Sequence, residues 1–264
     1  MILPTLHGKL KCNNFFIYAA CDSVYFEEFG RAFINSVLQN TDAELHIHIF
    51  NPTDEQLNLC TTTGISFSYE FVAAEQFIIM ADQWNREPVD PLEKLRRDRT
   101  LNAMSKGKDR NVLDRMQKTY YACARFARLK HLTKDNNNFL ALDIDAVVRN
   151  NIPTLPNNYD CYMYKITGPK ARVLAGGLYS TGTSNSSLFI TDYANQLIKN
   201  IENNYLYWSL DQDILDVIVP KYNIGNLPGS LIDWEMRSES IVWTAKGTRK
   251  ERLSFKNEQK KYNP

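Results

Sequence analysis

Phe139-Leu140-Ala141-Leu142-Asp143-Ile144-Asp145-Ala146-Val147-Val148 sets two carboxylates, one residue apart, between two apolar runs. The first run follows a polar stretch at 134–138 and is consistent with a buried strand entered from a turn, although periodicity alone does not separate it from helix. Asp143 and Asp145 then emerge near the strand's C-terminal end, the edge at which open α/β sheets bind ligands. Hard oxygen ligands with neither thiolate nor imidazole beside them suit Mg²⁺ or Mn²⁺. Two acids in one small site repel each other unless a cation neutralises them. The competing reading is a solvated corner between strand and loop, and Asp211-Gln212-Asp213 repeats the spacing elsewhere.

Upstream, 15–20 reads as a first strand, and Asp22 or Ser23 offers an N-cap for the helix that follows. Phe29, Phe33, Val37 and Leu38 recur at helical spacing, and Leu45, Ile47 and Ile49 then alternate with His46 and His48 at the period of a strand. A metal-binding pair and the polar side of a half-exposed strand both produce that histidine pattern. A further strand at 65–71 gives the order β-α-β-β and an α/β sheet with parallel members. Residues 82–114 contain Pro88 and Pro91 and crowd Lys94, Arg96, Arg97, Arg99, Lys106, Lys108 and Arg110 into a short interval. They are expected to form a surface insertion with some helix, as a solvated charged face or as a mobile basic flap over an anionic ligand.

The next helix, over 113–132, leads into the Asp143 strand. Its Arg125 and Arg128 fall near one face, open either to a phosphate beside the metal or to surface ion pairs. In Ala175-Gly176-Gly177-Leu178-Tyr179-Ser180-Thr181-Gly182 the paired glycines let the backbone approach a ligand closely. Asp211 and Asp213 open a helix and either cap it or serve a site. The basic tail is read as an ordinary solvated terminus, or, over Trp243-Thr244-Ala245-Lys246-Gly247-Thr248-Arg249-Lys250, as a glycine-hinged loop closing on a diphosphate.

The 264 residues suffice for one large α/β domain or two small ones with a sizeable core. A composition of 44% hydrophobic and 23% charged residues is that of an ordinary globular protein rather than a disordered one. A formal net charge of +1 supplies no overall field for nucleic acid, so no nucleic-acid partner is expected. The five cysteines are widely spaced without a C-x-x-C pair and read as reduced core thiols. With no signal-peptide pattern and no run of about 20 apolar residues, a cytoplasmic protein with at most peripheral membrane contact is expected.

Together these motifs resemble the GT-A fold glycosyltransferases, most of all glycosyltransferase family 8, the glycogenin and bacterial lipopolysaccharide galactosyltransferase group. The resemblance implies an α/β fold: a mixed, mostly parallel Rossmann-like sheet flanked by helices. It spans 1–264 as a single domain, with a charged helical insertion near 82–114 and a basic tail near 246–264. It implies that Ala19, Ala20 and Asp22 lie where the nucleotide base and ribose bind, and that Arg128, in Ala127-Arg128-Leu129, contacts the donor near the metal. Asp143-Ile144-Asp145 matches the family's DxD motif, whose aspartates hold Mn²⁺ or Mg²⁺ on the nucleotide diphosphate. Gly177 and the pair Asp211 and Gln212 match segments on the sugar side, with Ala175 where the family has Asn. Gly247 and Lys250 keep the spacing of the C-terminal signature, but Thr244 stands at its metal-binding His, which leaves the third ligand open.

The reaction so implied moves a sugar from a nucleotide-diphosphate donor, UDP-linked, to a hydroxyl on a glycan, lipid-linked or protein acceptor, with retention of configuration. Arg128, Asp211 and Gln212 are its expected catalytic residues. Two rivals stand beside it. One is a haloacid-dehalogenase-like phosphatase with Asp143 as nucleophile, since 143–147 also fits that pattern; the other is a non-catalytic binder of nucleotide-sugar or glycan.

Overall fold

The structure, a computed structural model, describes residues 2–83, 86, 88, 90–106, 111–133, 137–166, 172–245 and 247–263. Lys108, Arg110 and Lys246 of the basic segments, and 134–136 of the polar turn, lie outside the described residues. The strands are β1 (His7–Gly8), β2 (Phe16–Asp22), β3 (Glu44–Phe50), β4 (Ser66–Glu70), β5 (Asn138–Leu142), β6 (Val147–Val148), β7 (Cys161–Ile166), β8 (Arg172–Thr181), β9 (Ile224–Asn226), β10 (Ile232–Asp233) and β11 (Val242–Trp243). The helices are α1 (Ser23–Tyr25), continued by a π-helical turn at Phe26–Gly30 into α2 (Arg31–Asn40), then α3 (Asp54–Thr62), α4 (Ala74–Gln83), α5 (Pro91–Lys106), α6 (Val112–Leu132), α7 (Ser184–Glu202), α8 (Leu210–Ile218) and α9 (Leu253–Lys261).

Among the described residues the main sheet runs β1-β4-β3-β2-β5-β8-β7-β9. β4, β3, β2 and β5 are parallel, and β8 runs antiparallel to both its neighbours. This is the mixed, mainly parallel α/β sheet that the sequence predicts. Parallel strands need crossovers on the faces of the sheet. One apolar layer is built from α6, α7 and α8 and the other from α2. β2 and β5 lie side by side with Ala19 opposite Leu142, so both carboxyl ends reach the same edge.

Three expectations are corrected. No helix was expected between β3 and β4, yet their parallel pairing requires one, and α3 supplies it. Thr53 starts α3 with a capping box: its Oγ1 accepts from Gln56 N at 3.3 Å, and its own N–H donates to Gln56 Oε1 at 3.2 Å. His46 and His48 are not on a half-exposed strand, because both faces of β3 are covered and neither imidazole has any exposure. His46 instead bonds Ser66 Oγ at 2.7 Å and Ser68 Oγ at 2.9 Å, which satisfies both ring nitrogens. Finally, the tail is not a solvated terminus. Phe255 of α9 is fully buried and packs with Tyr262 against Ala32, Val147, Met236 and Trp243, and Tyr262 O accepts from Asn35 Nδ2 at 2.8 Å.

Candidate active site at the carboxyl ends of β2 and β5

β5 stops at Leu142, and the chain turns back on itself as Ala146 N donates to Asp143 O at 3.0 Å. Ile144, which the motif match counts among the donor-binding residues, is corrected: within that turn it is 3% exposed and points into the core, leaving the carboxylates on either side of it to face outward. Both line a cleft of about 630 Å³ with Arg125, Asp211, Thr244 and Lys250. The small sheet β10-β11-β6 brings the C-terminal segment here: Trp243 pairs with Val147, so Thr244 comes to rest beside Asp145.

Asp145 is nearly buried. Lys250 Nζ lies 2.5 Å from its Oδ2, and Thr244 Oγ1 donates to its Oδ1 at 3.5 Å. Burial and then the neighbouring charge of Asp143 push its pKa up to about 6, even with Lys250 and Thr244 pulling down. Burial opposes the charge on Lys250, but Asp145 outweighs it and holds the ammonium's pKa up. Asp143 is more open and pairs with Arg125, whose Nη2 is 3.9 Å from Asp211 Oδ2 and donates to Ala175 O at 3.3 Å. Burial likewise opposes the Arg125 charge and is outweighed by Asp143 and Asp211, so its pKa rises. Arg125 Nε is buried with no hydrogen-bond partner among the described residues.

The other sequence candidates are placed as follows. Arg128 is corrected: it is 4% exposed and turned away from the cleft, pairing with Glu70 and donating to Pro4 O at 2.5 Å. Residues three apart on a helix differ by about 60° in direction, enough to send Arg125 into the cleft and Arg128 into the sheet layer. Gly177 is corrected too, since a Cβ there would meet Ile232 Cδ1 at 3.0 Å and Leu227 Cδ1 at 3.4 Å. Gly176 faces the cleft instead, and a Cβ on it would stand 3.4 Å from Asp143 Oδ2 and 3.7 Å from Trp234 Cζ2. Ala19 is fully buried in the sheet and Ala20 half-buried beside it. Asp22 caps the following turn, its Oδ1 accepting from Tyr25 N at 2.8 Å. Gln212 lines the cleft but is committed to β8, donating from Nε2 to Val173 O and accepting from Ala175 N at 3.3 Å. Gly247 borders the cleft with φ of +62°, a left-handed conformation that glycine adopts freely.

Sequence reasoning missed Tyr25, whose ring centroid is 4.8 Å from Lys250 Nζ, and Trp234, which stacks edge-on against Tyr164 at 4.1 Å. Tyr25 follows the Asp22 cap by one turn, which is a readable signal; Trp234 carries none, because its place depends on the open edge of Gly176. The donors facing the cleft at the acid pair are two carboxylates and a hydroxyl, a set that fits Mg²⁺ or Mn²⁺. No group of three His, Cys, Asp or Glu side chains fit to hold a metal occurs among the described residues, so the acid pair is joined here by the Thr244 hydroxyl rather than by a third acid or imidazole.

The chain matches no family model, and no curated protein sequence matches it. Solved structures do match in fold. Galactosyltransferase LgtC, in complex with donor and acceptor sugar analogs, superposes with a TM-score of 0.52 at 13% identity, covering 93% of this chain and 95% of LgtC. The glycosyltransferase GlyE of Streptococcus pneumoniae TIGR4 gives 0.55 at 13% identity over 94% of this chain and 60% of its own. The bifunctional glycosyltransferase WbbM gives 0.53 at 13% identity over 96% of this chain and 51% of its own. An α/β sheet of this order, with an acid pair and its basic partners gathered at the carboxyl ends of β2 and β5, has the GT-A fold of these glycosyltransferases.

Proposed function

We propose that the chain transfers a sugar from a nucleotide-diphosphate donor, UDP-linked, to a hydroxyl acceptor with retention of configuration. The observation that carries this reading is the convergence of Asp143, Asp145, Arg125 and Lys250 on one cleft at the sheet's carboxyl edge. In such a transfer the bond from the anomeric carbon to the β-phosphate oxygen breaks, and negative charge grows on the departing diphosphate. Interactions that strengthen as that charge develops lower the barrier. Lys250 and Arg125 are cations already gathered at this cleft, by Asp145 and Asp143.

Asp143, Asp145 and the Thr244 hydroxyl would hold a divalent cation, which when bound would neutralise the diphosphate. Burial first and then the charge of Asp143 raise the pKa of Asp145, and a cation bound there would favour its ionised form. Asp211 faces the same cleft and would stabilise positive character at the anomeric carbon, while Gln212 fixes the start of α8 against β8 and so positions Asp211. Tyr25, beside Lys250, and Asp22, which caps its turn at the end of β2, would border the nucleoside.

The test is thermal unfolding of the purified chain with UDP-, GDP- and CDP-sugars in Mn²⁺, Mg²⁺ or EDTA, repeated on Asp145→Ala. A ligand that binds only the native state raises the midpoint. A cation-dependent rise with UDP-sugar, lost in the variant, is the expected result. A folded protein indifferent to every nucleotide overturns the proposal.

A further inference from the structure

The cleft continues beyond the acid pair along α6, where Ala122 and Thr119 line it in the turns before Arg125. At 1.5 Å per residue, Arg115 lies about 15 Å from Arg125 along the helix axis. Its buried guanidinium sits 4.1 Å from the ring centroid of Trp208. One face of the indole is therefore occupied from behind, while the residue itself is 37% exposed and lines the cleft.

This ring is held in place. Trp208 N donates to Thr100 Oγ1 at 3.0 Å, and Thr100 is fully buried on α5. Arg96 of the same helix lies 5.3 and 4.8 Å from the ring centroids of Tyr205 and Tyr207, so α5 grips the whole 205–208 segment. The next residue, Ser209, adopts φ 65° and ψ 23° before α8 begins. A left-handed non-glycine residue is strained, and such strain persists only where the surroundings fix it. Here it turns the chain so that Trp208 and Asp211 both face the cleft.

Arg99 and Asn102 of α5 close this end. Arg99 is matched by Asp213 at 2.9 Å and Arg172 by Asp216 at 2.7 Å, so these cations carry carboxylate partners already. A fixed indole rimmed by an amide and by ion-paired hydrogen-bonding groups suits a ligand with an apolar C–H face and neutral hydroxyls. We propose that Trp208 is the platform of an acceptor subsite for a neutral pyranose, at the α5 end of the cleft. The assignment to the acceptor rests on the sugar-transfer reading above, in which the donor diphosphate occupies the opposite end.

Saturation-transfer NMR on the intact chain, with UDP and Mg²⁺ present, tests this with methyl β-glucopyranoside, methyl β-galactopyranoside and methyl β-N-acetylglucosaminide. Magnetisation should reach the ring C–H protons of at least one pyranoside. Trp208→Leu, which keeps an apolar side chain but no ring, should weaken that binding at least tenfold, Trp208→Phe should retain part of it, and both should keep the midpoint rise given by UDP. Unchanged pyranoside binding in Trp208→Leu overturns the proposal. So does a wild-type chain whose midpoint responds to UDP but which binds no pyranoside. If the folded chain responds to neither, the sugar-transfer reading fails and this inference fails with it.

Discussion

Lys250 Nζ lies 2.5 Å from Asp145 Oδ2, so a lysine from the C-terminal segment and a divalent cation would compete for the same carboxylate oxygen. Lys250→Met should therefore bind Mn²⁺ more tightly in the absence of nucleotide, read by electron paramagnetic resonance of free Mn²⁺. The same variant should transfer sugar about 10²–10³-fold more slowly, the usual loss when one preorganised charge-stabilising group is removed. Unaltered Mn²⁺ affinity with unaltered turnover would remove Lys250 from the site.

Arg125 and Arg128 should separate function from stability. Arg128→Met leaves Glu70 buried without its charge partner and should cost about 3–5 kcal/mol in urea unfolding. Tyr120 still donates to Glu70 Oε1 at 2.7 Å, which limits the loss. Arg125→Met should unfold near the wild-type midpoint yet lose about tenfold or more in donor affinity. Reversal of this pattern would return Arg128 to the role that the family resemblance suggests.

That pair also marks the limit of what can be read from residues alone. The strand before Asp143, the long helix before it and the first strand follow from apolar period and caps, because each is a local pattern that one face of the sheet or helix must bury. Which of two arginines three apart reaches the cleft depends on the rotation of α6 against the sheet, a tertiary quantity with no local signature. The tail misleads for a related reason. Its α9 carries three lysines in nine residues, with Phe255 and the following Tyr262 as its anchors, so its composition looks solvated although its packing is not. Trp208 reads as an unremarkable aromatic until α5 and Arg115 are seen behind it.

Acid should destabilise the fold through β3. Burial lowers the pKa of His46 to about 3, and burial followed by the charges of Arg128 and His46 lowers that of His48 further below its ordinary 6.5. Between about pH 6.5 and 3 the unfolded chain therefore binds protons that the folded chain refuses. The stabilisation is fully present above 6.5 and is lost as the pH falls, at about 1.4 kcal/mol per pH unit for each histidine. Glu70, whose pKa burial raises despite Arg128, works in the opposite sense from that raised value down to its ordinary 4.5, the middle of this window. His46→Asn should flatten the stability curve between pH 6.5 and 4 by about one histidine's slope; superimposable curves would show that His46 is not held neutral.

Phe255→Ala should cost about 3–5 kcal/mol, the range for emptying a fully buried aromatic site. Because α9 follows directly on the turn that holds Lys250, donor affinity should fall along with the unfolding free energy. A variant that loses stability but keeps full affinity would mean that the Lys250 turn holds its place without its anchor.

The docking of α9 beside β6 and β11 has a consequence for synthesis. Asp143 and Asp145 leave the ribosome well before Thr244, Lys250 and the helix that fixes them. A nascent chain that has reached only the end of α8 already owns the acid pair but not its lysine. In that fragment Asp143 keeps Arg125 while Asp145 lacks the ammonium that offsets its burial, so on the sugar-transfer reading it would offer only half of the basic seat for a diphosphate. On that reading, full competence for the nucleotide would arrive only with the C-terminal segment.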